Sequence, residues 1–165
     1  MTLGHTSDLA YFEMSISPSI SFVSVVRRFV ASFYECLLKD LDLASRVALV
    51  THELLENAVK YSMDGETTIR MEIATTTTPP TVRIRTRNRA APASTAILRR
   101  NIDEMNALAD PMAFFQLLMK RGARSGAPGG LGLGRIAAEA EMTVSYTLVG
   151  ELVEVCAETT AARSP

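Results

Sequence analysis

Tryptophan is absent from this chain of 165 residues, and cysteine occurs only at Cys36 and Cys156. Two distant cysteines, each within an apolar segment, form neither a disulfide framework nor a metal-ligand cluster. They read as buried free thiols. A surplus of either charge is also missing. Seventeen Lys and Arg against eighteen Asp and Glu give a net charge of −1, which leaves no general electrostatic hold on nucleic acid or an anionic membrane. No apolar run approaches the ~20 residues that span a bilayer. The opening MTLGHTSDLAYFEMS has no basic stretch followed by an apolar core, so no secretory signal is expected. By elimination, the expected location is cytoplasmic.

Apolar residues are plentiful, at 47% of the chain. At this length they suffice for the core of one domain. Neither an internal repeat nor a linker divides the sequence, so residues 1–165 are read as a single domain with a tail at 159–165 outside its ordered part. Weak alternation predicts a strand over 9–16. Ser17-Pro18 offers a cap and a first helical residue. Phe22, Val23, Val26, Phe29, Val30, Phe33 and Leu37 recur at helical spacing, predicting a helix to about Leu38. Its wide apolar surface leaves a second copy of the chain open as a partner. A second helix is expected from an Asp42 cap to Tyr61.

Two strands follow. Thr67, Ile69, Met71 and Ile73 face one side of the first, and Val82, Ile84 and Thr86 one side of the second, across a Pro-Pro connection at 75–80. Arg83, Arg85, Arg87 and Arg89 then fall on the opposite, solvent side. Helices fill 94–121, broken at Asp110-Pro111. The run from Met112 to Met119 reads as core or lid packing. GARSGAPGG, 122–130, is read as the mobile part of a lid at about 120–130. A short helix over 133–140 and a hairpin of strands, 143–149 and 151–158, close the chain. The class is α+β: a two-layer sandwich of a mixed, mainly antiparallel sheet with helices on one face.

Polar residues interrupt the apolar pattern in two places. In THELLENAVKYS, 51–62, the residues Val47, Val50, Leu54 and Ala58 share one helical arc, while Glu53, Asn57 and Lys60 stack over two turns of another. An amide oxygen at Asn57 suits a hard cation such as Mg²⁺, which takes oxygen ligands and keeps several waters. Glu53, one turn earlier, is placed to take a proton from a water or hydroxyl, and Lys60 to neutralise phosphate. The plain alternative is a solvated helix face in which Glu53 and Asn57 bond each other. His52 and Glu56 are assigned to solvent or supporting positions. The second place is GAPGGLGLGR, 126–135. Glycines let the backbone approach an anion, and a helix start offers free N–H groups. Lys120, Arg121 and Arg124 lie just upstream. No Gly-Lys-Ser/Thr follows, so this is not a Walker A loop. No strand feeds directly into it, so it is not a dinucleotide fingerprint.

Together these two stretches resemble the GHKL superfamily of Bergerat-fold ATPases. Glu53-Leu54-Leu55-Glu56-Asn57-Ala58-Val59-Lys60-Tyr61 is similar to its N-box, and Gly130-Leu131-Gly132-Leu133 to its second glycine box. The resemblance implies ATP and Mg²⁺ as ligands. Asn57 would hold the metal, Glu53 would act as general base or position a water, and Lys60 would meet phosphate. Gly130 and Gly132 would cradle the triphosphate, with Tyr61, Leu131 and Leu133 also at the nucleotide and Lys120 and Arg124 reaching in from the lid. The family's first glycine box is altered: Asn88-Arg89-Ala90-Ala91-Pro92 stands where Asp-x-Gly-x-Gly is expected. Asn88 would then meet adenine without charge assistance. The region from Asn88 to Tyr146, with Leu98, Ile102-Asp103 and Asn106, resembles small single-domain kinases of the SiaB type. These imply a regulatory serine/threonine kinase with a STAS-like partner in partner switching. The alternative is a degenerate relative that sequesters such a partner without turnover. The missing H-box histidine sets the chain apart from complete sensor histidine kinases.

Overall fold

The computed structural model describes residues 9–17, 20–38, 40–74, 80–125 and 130–160. The expected Ser17-Pro18 cap and the Pro-Pro connection lie largely outside these, as does the centre of the expected lid. The elements run β1 (Leu9–Ile16), α1 (Ile20–Leu38), α2 (Leu41–Tyr61), β2 (Ser62–Ala74), β3 (Thr81–Ala90), α3 (Pro92–Ala107), α4 (Pro111–Ser125), α5 (Leu131–Arg135), a π-helical turn (Ile136–Ala140), β4 (Thr143–Val149) and β5 (Leu152–Thr160). The five strands form one open sheet in the order β1-β2-β3-β5-β4. All four pairings are antiparallel, so the expected mixed sheet resolves to a purely antiparallel one.

Alternation fixes which face of the sheet is covered. Ile69, Met71 and Ile73 of β2, Val82 and Ile84 of β3, Val153, Val155 and Ala157 of β5, and Val144 of β4 are all buried beneath the helices. The register sets Ile69 opposite Thr86 and Met71 opposite Ile84, keeping these side chains on the same face. On the other face stand Arg83, Arg85 and Arg87, as the alternation predicts. There Glu72 is buried by arginine side chains, with Arg70 at 2.7 Å, Arg85 at 3.3 Å and Arg83 at 3.5 Å. This is the two-layer α+β sandwich expected, with its core between sheet and helices.

α2 lies at the centre of that core, burying Leu43, Val47, Val50, Leu54, Leu55 and Ala58. α1 packs along it through Val23, Val26, Val30 and Tyr34, each such side chain contributing about 1.5–3 kcal/mol by burial. Several details differ from expectation. Asp40, not Asp42, caps α2, accepting from the Leu43 amide at 3.0 Å; Asp42 sits one residue inside, where its charge still suits the helix start. Phe22, Phe29 and Leu37 are exposed on α1, because α2 and the sheet cover only one side of a wide apolar arc. α4 continues through Gly122 to Ser125, shortening the expected mobile stretch. Asp110 accepts from the Met112 amide at 2.9 Å, as the Asp-Pro break predicts. Phe114 and Leu118 enter the core, while Met112 and Met119 do not. Thr159 and Thr160 belong to β5 and not to a tail. Both cysteines are free, but Cys36 is exposed and Cys156 half-buried: the first lies on the uncovered side of α1, the second on the polar face of the sheet. Among the described residues no helix is long and apolar enough to cross a membrane.

Candidate functional site

The C-terminal half of α2 and the glycine turn before α5 meet. Glu53 is almost wholly buried. Its Oε1 accepts from the Arg135 guanidinium, which also reaches Glu139 at 3.2 Å. Its Oε2 lies 2.6 Å from where a Cβ on Gly132 would stand, and the Asn57 amide nitrogen lies 3.4 Å from the same point. Real side-chain carbons do not approach an oxygen that closely, so a larger residue at 132 requires the Glu53 carboxylate to move. Gly130 turns the chain with φ +83°, and a Cβ there would stand 2.7 Å from the Asn101 amide nitrogen. The glycine turn is therefore clamped between α2, through Glu53 and Asn57, and α3, through Asn101.

Beside this clamp a narrow hollow opens between α2, α3 and the sheet. Leu54, Ala58, Leu98, Leu133, Val153 and Val155 supply apolar walls; Asn57, Thr86, Asn88, Ser94 and Thr95 supply polar groups; Tyr61 and Ala90 complete it. Its interior is about 30 Å³, room for a water or two and far short of the ~300 Å³ or more of an ordinary small-molecule pocket. A smaller extension reaches Asn101 and Gly130 past Asn57 and Tyr61. Asn88 is buried, and its amide donates to the Arg89 carbonyl at 3.2 Å, leaving its own oxygen as an acceptor. Thr67 pairs with Asn88 in the sheet register, and its buried Oγ1 has no hydrogen-bond partner among the described residues. Polar side chains thus collect on an otherwise apolar sheet face.

Burial holds the Glu53 carboxyl above its ordinary range, against the opposing pull of Arg135. A carboxyl of this kind holds a proton at a pH where an exposed one has lost it. Among the described residues no group of three or more His, Cys, Asp or Glu is placed to hold a metal. A cation here would rest on Asn57 and on oxygens brought by its ligand.

Of the residues singled out in the sequence, the structure brings together Glu53, Asn57, Tyr61, Asn88, Gly130, Gly132 and Leu133. Leu131 and Leu133 pack against the core, so their side chains are structural. Lys60 is exposed, its ammonium 5.2 Å from the Tyr61 ring centroid, and lines no part of the hollow. The helix carries it one turn past the clamp. Lys120 is exposed on α4 and also lines no part of it. Arg124 falls in α4, with its side chain outside the described residues. Arg121 pairs with Glu104 at 2.5 Å. Glu53 bonds Arg135 and not Asn57. His52 lies 3.6 Å from Glu56, and both stay beside the site.

Sequence reasoning missed Arg135 and Asn101. Arg135 directly follows the glycine box, which is a signal, but its bond to Glu53 spans 82 positions. Asn101 is one polar residue on an ordinary helix, and nothing local marks it.

No family model and no curated protein matches the chain. Among solved structures it is similar to a chain of the SiaB–SiaC complex from Pseudomonas aeruginosa, with a TM-score of 0.71 at 17% identity, over 90% of this chain and 88% of that one. That likeness establishes a shared fold over nine-tenths of this chain.

Proposed function

We propose that this protein is a regulatory switch that binds ATP–Mg²⁺ beside the glycine turn and acts as a serine/threonine kinase on a STAS-like partner protein. One observation carries the reading: Glu53 and Asn57 converge on Gly132, where a side chain would displace the Glu53 carboxylate and touch the Asn57 amide. That close approach joins the two stretches that resemble the N-box and the second glycine box. The buried Asn88, which lines the hollow, supports a polar ligand there.

ATP would supply the transferable phosphoryl group, and Mg²⁺ the charge to neutralise it. Asn57 would give the metal an amide oxygen, and Asn88 would accept from the adenine amino group. The backbone of Gly130–Leu133 would face phosphate. Glu53, held high by burial, would accept a proton from a partner hydroxyl once released from Arg135. The hollow must widen for a purine, through movement of α3 or of the turn at Gly130. The partner class follows from the SiaB-type resemblance, and the fold shared with a chain of a two-protein complex agrees with it.

A second reading has its own support. Arg135 occupies Glu53, and the hollow is narrow; both suit a module that binds its partner without turnover. Thermal melting separates the two. Millimolar ATP–Mg²⁺ is expected to stabilise the protein, by ~2.7 kcal/mol at a hundred times the dissociation constant, and Asn57→Ala to remove the metal-dependent part. No shift in the unmodified protein leaves the non-catalytic module.

A further inference from the structure

Asn101, midway along α3, is 5% exposed, and its amide forms no hydrogen bond with any described residue. A buried amide left without partners is costly, and most such groups in folded proteins are bonded. Asn101 instead lines the small extension of the hollow, together with Asn57, Tyr61, Ser94 and Gly130. The side chains of Asn57, Tyr61 and Ser94 likewise make no hydrogen bond with a described residue. Four polar groups on two helices therefore face one space with their bonding capacity unused.

The chemistry of that space is one-sided. Each of the four groups can donate, and no carboxylate is among the lining residues. The nearest carboxylate, that of Glu53, lies at Gly132 and is held by Arg135. The two amides come at the glycine turn at different points. The Asn57 nitrogen stands 3.4 Å from a Cβ position at Gly132, and the Asn101 nitrogen 2.7 Å from the one at Gly130. A side chain at 130 would press on Asn101, and φ +83° disfavours one there. The extension measures about 20 Å³, room for one water-sized oxygen. Donors gathered around a space of that size suit an oxygen that only accepts, as in phosphate. A sugar hydroxyl would bring a donor of its own.

We propose that Asn101 is a phosphate-binding residue, its amide N–H donating to a phosphate oxygen of the nucleotide beside the glycine turn. The proposal rests on the ATP–Mg²⁺ reading above and adds a contact from α3. Calorimetric titration of the full chain with ATP–Mg²⁺ and with adenosine tests it. Asn101→Asp keeps the shape but sets a carboxylate against phosphate, and should weaken ATP–Mg²⁺ at least tenfold. Asn101→Ala removes the donor alone and should weaken it several-fold. Adenosine, without phosphate, should bind both variants as it binds the unmodified protein. In the unmodified protein the side-chain amide resonances of Asn101 should move with ATP–Mg²⁺ and stay in place with adenosine, which needs no variant to fold. Unchanged resonances with ATP–Mg²⁺ would overturn the proposal, and so would an Asn101→Asp variant that binds ATP–Mg²⁺ undiminished. A loss that adenosine shares, or a lowered melting temperature with unchanged ATP affinity, would make Asn101 structural. If the unmodified protein binds no ATP–Mg²⁺, the nucleotide reading itself fails and takes this contact with it; binding that the variants leave intact removes the contact alone.

Discussion

At the scale of single residues, Glu53 is held by two opposed effects. Burial favours its neutral form and Arg135 its charged form, and burial prevails. A carboxyl whose folded pKa lies above its unfolded value binds protons more tightly when folded. Stability then falls as pH rises from the ordinary value of 4.5 through the raised one. Glu53→Gln keeps an acceptor for Arg135 but cannot titrate. Denaturant unfolding at a series of pH values should therefore show the Gln variant gaining on the unmodified protein as pH rises above 4.5. A constant difference across that range refutes the assignment.

At the scale of elements, the helix cap shows how local chemistry selects a boundary. Both Asp40 and Asp42 are sound caps by residue type. Position 40 prevails because its backbone is extended and its carboxylate reaches the Leu43 amide. Asp40→Ala is expected to cost about 1 kcal/mol in denaturant unfolding. Asp42→Ala should cost less, losing the exposed pair with Arg46 and a favourable dipole term. Periodicity made most elements legible. The alternation in β2 and β3 gave the buried face residue by residue, and Asp110-Pro111 gave the break between α3 and α4. What stayed hidden depends on neighbours. The apolar arc of α1 is wide enough that spacing alone does not say which side α2 takes. The glycine run reads as flexible, yet α4 holds Gly122 because helical packing overrides a cost of about 1 kcal/mol. Of the site, Glu53, Asn57 and Gly132 were readable from type and order. Arg135 and Asn101 required the fold to bring them in, and Lys60 shared a helical stripe without sharing the hollow.

At the scale of the molecule, the sheet has one face under helices and one open face held by ion pairs. Glu72 is the centre of the open face. Burial would raise its pKa, but bonds from Arg70, Arg83 and the nearby Arg85 outweigh that and lower it. A depressed carboxyl stabilises the fold above its unfolded value and loses that contribution as pH falls through the folded one. Glu72→Gln is expected to cost about 1–2 kcal/mol at pH 7, the arginines being partly exposed. The difference should vanish in acid, well below pH 4. Equal losses at both pH values would show packing, and not charge, to be the cause.

The strand order has a temporal consequence. β5 lies between β3 and β4, yet it emerges from the ribosome after every other strand. Until it arrives, β3 presents a bare edge on one side and β4 has nothing to pair with. Once β3 is made, the nascent chain holds at most a three-stranded half-sheet with an open flank until β5 follows. Completion comes in one late step, which makes the last strand of this sheet the one on which a newborn molecule depends for protection from its neighbours.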